Sequence, residues 1–231
     1  MVIKDFVKKE LQGWSLLETV GLILVFVTIF VNAIINHDSI IAVISALCGI
    51  SYTFLAGKGK ISCYLFGVTG SGFYAYLSFI NALWGNLILY LCYYIPMQIL
   101  GIFRWRKHLN KNSQEIEKTK LSTRSRVVLV TLLFFASVIT ILVLKYFNDS
   151  NPIIDGVTSI LSVAGMYLTV RRAIEQWIIW LVVNFLTAIM WIEVLMQGEK
   201  VYATVIMWVV YFLFAIYFYI KWRKELAKNN H

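Results

Sequence analysis

Charge is scarce in this chain: Asp, Glu, Lys and Arg make up 14% of its 231 residues, while hydrophobic side chains make up 60%. That balance excludes an ordinary soluble domain and makes lipid the solvent for most of the sequence. Proline is nearly missing, with Pro96 and Pro152 alone, so little interrupts a long helix. The long apolar runs lack the two-residue alternation of an outer-membrane barrel, which leaves helices as the spanning element. No histidine falls in an apolar run, and Cys48, Cys63 and Cys92 stand apart inside such runs. With no Cys-His ligand spacing and no phosphate-cradling glycine loop, readings as an enzyme, a metal site or a cofactor protein have nothing to stand on, and the cysteines read as packing residues.

What is present is a series of apolar segments, each near the roughly 20 residues a bilayer requires. They run Ser15 to Asn36, Ser39 to Gly57, Ile61 to Asn81, Trp84 to Trp105, Val127 to Phe147, Ile153 to Val170, Trp177 to Met196 and Ala203 to Ile220. The fold class expected is an all-α membrane protein of eight transmembrane helices. The charged residues from Lys4 to Glu10 lead into the first run with no small-residue cleavage site, which predicts a retained helix. This first segment is the weakest span and could instead lie along the interface.

The formal net charge of +9 raises the question of nucleic acid, but Lys and Arg in a membrane protein are first an orientation signal. With eight alternating spans, every Lys and Arg except Lys145 and Lys200 falls on one side. That side is the cytoplasm, which predicts a multi-pass protein of the inner (plasma) membrane with both termini cytoplasmic and no nucleic-acid partner. Dropping one interior span would scramble the alternation, so the charges also support the helix number. The basic stretch from Arg104 to Arg126 meets anionic lipid. Asp38, Asp149, Asp155, Glu193 and Glu199 cluster at the outer ends, a bias that favours a neutral or cationic solute, although ordinary loop solvation produces the same distribution.

Sliding the chain over itself by 117 residues places Asp38 on Asp155, Ser45 on Ser162, Tyr94 on Tyr211, and Trp105-Arg106-Lys107 on Trp222-Arg223-Lys224. The matches are few, and chance alignment of apolar sequence competes with a true repeat. Topology favours the repeat: spans two to four and six to eight each begin outside after an Asp and end inside on Trp-Arg-Lys. The expected organisation is an extra N-terminal helix in 1–37, a first three-helix repeat in 38–107, a basic loop and linker helix in 108–151, a second repeat in 152–224 and a cytoplasmic tail in 225–231. Parallel repeats of this kind are a transporter architecture, with substrate held between them near the midplane.

Two polar stripes could line such a path. In the seventh span Trp177, Trp180, Asn184, Thr187 and Trp191 fall on one helix face. A carboxamide at the depth of Asn184 must face protein, water or ligand, and a bond gluing two helices together is its structural alternative. Trp177 and Trp191, near the ends, suit the interfacial belt. In the fourth span Asn86, Tyr90, Tyr94 and Gln98 recur every four residues, with Pro96 loosening the backbone nearby. Amides and aromatic walls suit a flat, neutral or cationic solute bearing hydroxyls, and a packed polar seam is the alternative for Asn86 and Gln98. Ser159, Ser162 and Tyr211 are further candidates, with tight helix packing the competing role for the serines. No acid or His lies at the bilayer centre, which predicts transport down the solute gradient without ion coupling.

The stretch from Gly59 to Gly67 and, above all, Arg-x-x-Glu-x-Trp-x-x-Trp-x-x-x-Asn from Arg172 to Asn184 resemble the PnuC family of nicotinamide riboside transporters. The resemblance runs from about Asp38 to the end of the chain. It implies a fold like that of the SWEET sugar transporters, two three-helix bundles joined by a linker helix, and import of nicotinamide riboside by facilitated diffusion. It also implies retention of the vitamin through phosphorylation by a cytoplasmic kinase, and assembly as a homotrimer. Trp180 and Asn184 lie in the matching stretch and carry over directly. A sugar or other small-solute carrier on the same fold, or a non-transporting substrate-binding subunit, are the competing readings.

Overall fold

The computed structural model describes residues 10, 12–36, 39–80, 84–110, 115–149, 151–198 and 202–228. Asp38, Asn81, Glu199, Lys200, Lys111 and the lysines before Glu10, used above to set breaks and sides, lie outside them. Among the described residues the architecture is all-helical. The helices are α1 (Leu16–Asn36), α2 (Ile40–Gly57), α3 (Cys63–Ile80), α4 (Trp84–Leu89), α5 (Ile95–Arg106), α6 (Thr123–Tyr146), α7 (Pro152–Val170), α8 (Glu175–Met196) and α9 (Tyr202–Lys228). A π-helical turn at Tyr90–Tyr94 joins α4 to α5 without a break, so the described residues make eight helical stretches. Seven are long and apolar enough to cross a bilayer, and the remaining one, α2, is apolar from Val43 to Gly57. The protein is a multi-pass membrane protein whose described helices match the eight expected segments to within four residues at each end, except that α9 runs eight residues past Ile220.

Local chemistry sets the helix ends. Ser15 and Glu18 form a capping box at the start of α1: Ser15 N–H donates to Glu18 Oε2 at 2.7 Å, and Glu18 N–H donates to Ser15 Oγ at 3.1 Å. Ser122 caps α6 by accepting from Ser125 N–H. Pro152 opens α7, where its missing N–H has no helical partner to lose. The α2–α3 and α7–α8 turns close alike. Lys60 N–H returns to Leu55 O and Ala173 N–H to Leu168 O, across a left-handed residue, Gly59 or Arg172.

By internal packing the chain divides into two compact units, Met1–Glu117 and Lys118–His231. In the first unit α3 packs on α2 and α5, and α1 leans on α2. The end of this unit at the α2–α3 turn is tied by a buried ion pair. Lys58 Nζ lies 2.9 Å from Glu18 Oε2, with side-chain exposures of 1% and 4%, and it also donates to Gly13 O. Trp14 sits edge-on to Phe54, and Ser62 Oγ donates to Glu10 Oε2, so the segment before α1 is fastened to the α2–α3 turn. In the second unit α8 packs between α7 and α9, and α6 lies on α7. Its core gathers Ala164, Leu168, Ala173, Ile179 and Val183, with Leu129, Leu133 and Trp180 against them. Arg126 and the Leu121 N–H both engage the Glu175 carboxylate at the start of α8, where the helix dipole also favours negative charge.

Candidate functional site

In the second unit, α8 carries the stripe that the sequence singles out. Trp180 is held by α7. Its Nε1 donates to Thr169 Oγ1 at 3.3 Å, and Thr169 Oγ1 in turn donates to Gly165 O at 2.8 Å. Gly165 is the contact that admits the indole: a Cβ there would lie 2.9 Å from Trp180 Cε2 and 3.0 Å from Cζ2. Ser162 is half-buried on the same α7 face as Gly165 and Thr169, whereas Ser159 is exposed.

Asn184, one turn along from Trp180, is 5% exposed, and none of the described hydrogen bonds includes its side chain. A carboxamide has two donors and two acceptor lone pairs, and leaving them unmatched away from water costs about 1–3 kcal/mol. Among the described residues no hydrogen bond from Asn184 joins α8 to a neighbouring helix, the role that competed for it in the sequence. Thr187 is 8% exposed, one turn beyond. Tyr211 on α9 is half-buried.

Trp177 departs from the interfacial role its position suggested. It is 2% exposed, 5.4 Å from the Phe218 ring and edge-on to Trp222 at 5.7 Å, and its Nε1 has no partner among the described residues. Lys118 sits over the Trp222 ring and pairs with Glu225. Trp177 thus belongs to the interior of its unit because α9 covers it with aromatic rings, which a reading of α8 alone cannot reveal. Trp191 is half-buried.

In the first unit the fourth span is organised by its π turn. Residues four apart on an α-helix drift by about 40° per step, so Asn86 and Gln98 would diverge by about 120°. One extra residue in a turn takes back about 100°, which draws Asn86, Tyr90, Tyr94 and Gln98 onto one face. The wide turn shows directly in the Ile95 N–H, which bonds to Tyr90 O five residues back. Pro96, at the start of α5, supplies a cause, since it has no N–H to offer the Cys92 carbonyl. What the sequence suggested as loosening is a register shift.

On that face Gln98 is 4% exposed and its Nε2 donates to Ser71 Oγ at 3.0 Å, with the same hydroxyl 3.3 Å from Oε1. Gly67 gives the side chain room, since a Cβ there would lie 3.2 Å from Gln98 Cδ and 2.8 Å from the Tyr52 ring. Gln98 therefore takes part in a polar seam between α3 and α5, keeping one N–H and a spare lone pair on Oε1. Tyr90 stacks against Tyr74 at 4.5 Å and lies 4.9 Å from Tyr94. Asn86 is half-buried. Ser71, Tyr74 and Thr169 join the candidate residues here; their partners are distant in sequence, so no local spacing announces them.

Each unit thus carries its own set of candidate side chains: Tyr90, Tyr94 and Gln98 with Ser71 in the first, and Trp180, Asn184 and Thr187 with Thr169 in the second. Among the described residues no group of His, Cys, Asp and Glu is arranged to hold a metal.

The family described as "Nicotinamide mononucleotide transporter" matches residues 39–224. The nicotinamide riboside transporter PnuC of Neisseria mucosa is 33% identical over 229 residues, covering 96% of this chain and 87% of that protein. Its namesake in Haemophilus influenzae is 28% identical over 233 residues and is covered, like this chain, in full. A crystal structure of the vitamin B3 transporter PnuC aligns with a TM-score of 0.81 at 34% identity, over 96% of this chain and 97% of that one.

Proposed function

The chain belongs to the nicotinamide mononucleotide transporter family, a family of transporters and not of enzymes, and on that premise we propose that it imports nicotinamide riboside across the plasma membrane. The observation that carries the reading is Asn184, a buried carboxamide whose hydrogen-bonding capacity is unspent, one turn from an indole clamped by Gly165 and Thr169. Trp180 offers a flat face to a pyridinium ring, and Asn184 pairs with a carboxamide or ribose hydroxyl. Tyr90, Tyr94 and the spare capacity of Gln98 provide matching chemistry in the first unit, with Asn86, Thr187, Tyr211, Ser159 and Ser162 as outer contacts.

The family description names the mononucleotide and the relatives' names the riboside, and charge favours the riboside here. A phosphate brings close to two negative charges and needs a cation at hand. No Lys, Arg or His occurs from Cys63 to Phe103 or from Gln176 to Ile192. With no Asp, Glu, Lys, Arg or His along those stretches, transport runs down the solute gradient, and cytoplasmic phosphorylation retains the product because the charged form finds no such counter-ion on the way back. The fold reading that goes with this is two like-oriented three-helix repeats, 38–107 and 152–224, joined through 108–151 in a SWEET-like arrangement. The first helix lies outside the repeats, both termini are cytoplasmic, and three copies assemble.

Binding to purified protein tests the proposal. Nicotinamide riboside quenches tryptophan fluorescence, the mononucleotide and glucose do not, and Trp180→Ala removes the response while the protein stays folded. Equal quenching by glucose would favour a sugar carrier, and equal quenching by the mononucleotide would remove the charge reading.

A further inference from the structure

The first unit holds an aromatic ring and a hydroxyl, Tyr74 and Ser78, that the reading above leaves without a role. On α3, Gly67, Ser71, Tyr74 and Ser78 recur at intervals of four, three and four residues and so share one face. Ser71 on that face is 6% exposed against Gln98, and Ser78 is 1% exposed, so the face is turned toward protein and not toward lipid. Ser78 Oγ has no hydrogen-bond partner among the described residues. A buried hydroxyl left in that state marks a place where another molecule completes the bonding. Beside it, one turn along, Tyr74 is 37% exposed and is the outer member of a stacked series. Its ring lies 4.5 Å from Tyr90 at a tilt of 30°, and Tyr90 lies 4.9 Å from Tyr94. The π turn at Tyr90–Tyr94 is what places these rings in succession.

We propose that Tyr74, backed by Tyr90 and Tyr94 and flanked by Ser78, is a second binding station for a flat cationic ring, built from residues of the first unit alone. It lies toward the Ile80 end of α3, the end that the charge asymmetry places outside, and so meets solute before Gln98 does. The ring faces supply the attraction for the cation, and the Ser78 hydroxyl bonds a carboxamide carried on the ring. This station selects for positive charge on an aromatic ring, a property that the Asn184 amide, which pairs with neutral groups, does not read. The inference rests on the cationic-solute reading proposed above, and its test uses a simpler cation so that the two stand or fall separately.

Saturation-transfer NMR on the full chain in lipid nanodiscs, with 1-methylnicotinamide as the flat cation and nicotinamide as its neutral counterpart, makes the measurement. The expected result is transfer to the cation's ring protons about threefold stronger than to nicotinamide, and reduced about threefold in Tyr74→Leu. Transfer persists in Tyr74→Phe, which keeps the ring, and in part in Trp180→Ala, which removes the aromatic face of the other set and leaves the first unit untouched. Tyr74→Met, closer to tyrosine in length and equally without a ring face, gives the same loss and serves if the leucine variant does not fold. Equal transfer to the cation and the neutral ring, undiminished transfer in Tyr74→Met, or its loss in Tyr74→Phe or Trp180→Ala would each overturn the proposal. Failure of the wild-type protein to take up nicotinamide riboside would instead remove the proposed function and leave these readings as they are.

Discussion

Gln98 and Asn184 carry the same functional group at nearly the same burial, 4% and 5% exposed, yet their surroundings differ. Gln98 is bonded to Ser71, so Gln98→Leu strands a buried hydroxyl and is expected to lower stability by about 1–3 kcal/mol, read as a lower Tm of the purified protein. Asn184 takes part in none of the described hydrogen bonds, so Asn184→Leu leaves no partner behind. It is expected to keep or raise Tm while weakening riboside binding by about tenfold or more. A fall in Tm for Asn184→Leu as large as that for Gln98→Leu would return Asn184 to a structural role. Both amides stand out in the sequence because a carboxamide is rare at membrane depth. What distinguishes them does not, because Ser71 lies 27 positions from Gln98 and only the packing of α3 on α5 brings the two together.

Among the helices, close approach and buried charge decide more than hydropathy does. Gly165 admits the Trp180 indole against α7, and Gly165→Ala places a methyl about 2.9 Å from the ring. The backbone of α7 cannot yield as a flexible side chain would, so the indole must turn and give up Thr169. Riboside affinity is expected to fall about tenfold with only a small change in Tm, as measured by fluorescence titration beside a thermal melt. The tie between α1 and the α2–α3 turn behaves in the opposite way. Lys58→Ala leaves the buried Glu18 carboxylate without its counter-ion, although it keeps the Ser15 N–H, and is expected to cost about 3–5 kcal/mol, with most of that recovered when Glu18→Gln is added. A double variant no more stable than Lys58→Ala would show that the pair is not what fastens the segment.

The helix count was legible in the sequence because lipid demands about 20 apolar residues per crossing, and the runs between charged breaks supply them one by one. The π turn was not, since Tyr-Leu-Cys-Tyr-Tyr carries no signature of its own and only the proline after it hints at a missing bond. Trp177 was misplaced for a related reason: the belt and the core both accept tryptophan, and the rings of Phe218 and Trp222 that enclose it come from another helix.

For the molecule as a whole, the distribution of charge joins fold to function. The basic residues collect at helix ends and in the stretches between helices, while the core of the fourth and seventh spans holds amides, tyrosines and tryptophans without a single ionisable acid or base from Gln176 to Ile192. Such a lining has no group to carry a coupling proton and no counter-ion for a phosphate. The proposed function accordingly expects passive movement of a cationic or neutral nucleoside. Uptake of radiolabelled nicotinamide riboside into proteoliposomes, prepared with identical buffers on both sides, measures this directly. The account predicts uptake that stops once internal and external concentrations are equal, is unchanged by an imposed proton or sodium gradient, and is lost in Asn184→Ala. Accumulation above the external concentration driven by either ion gradient, or no uptake of the riboside at all, would contradict it.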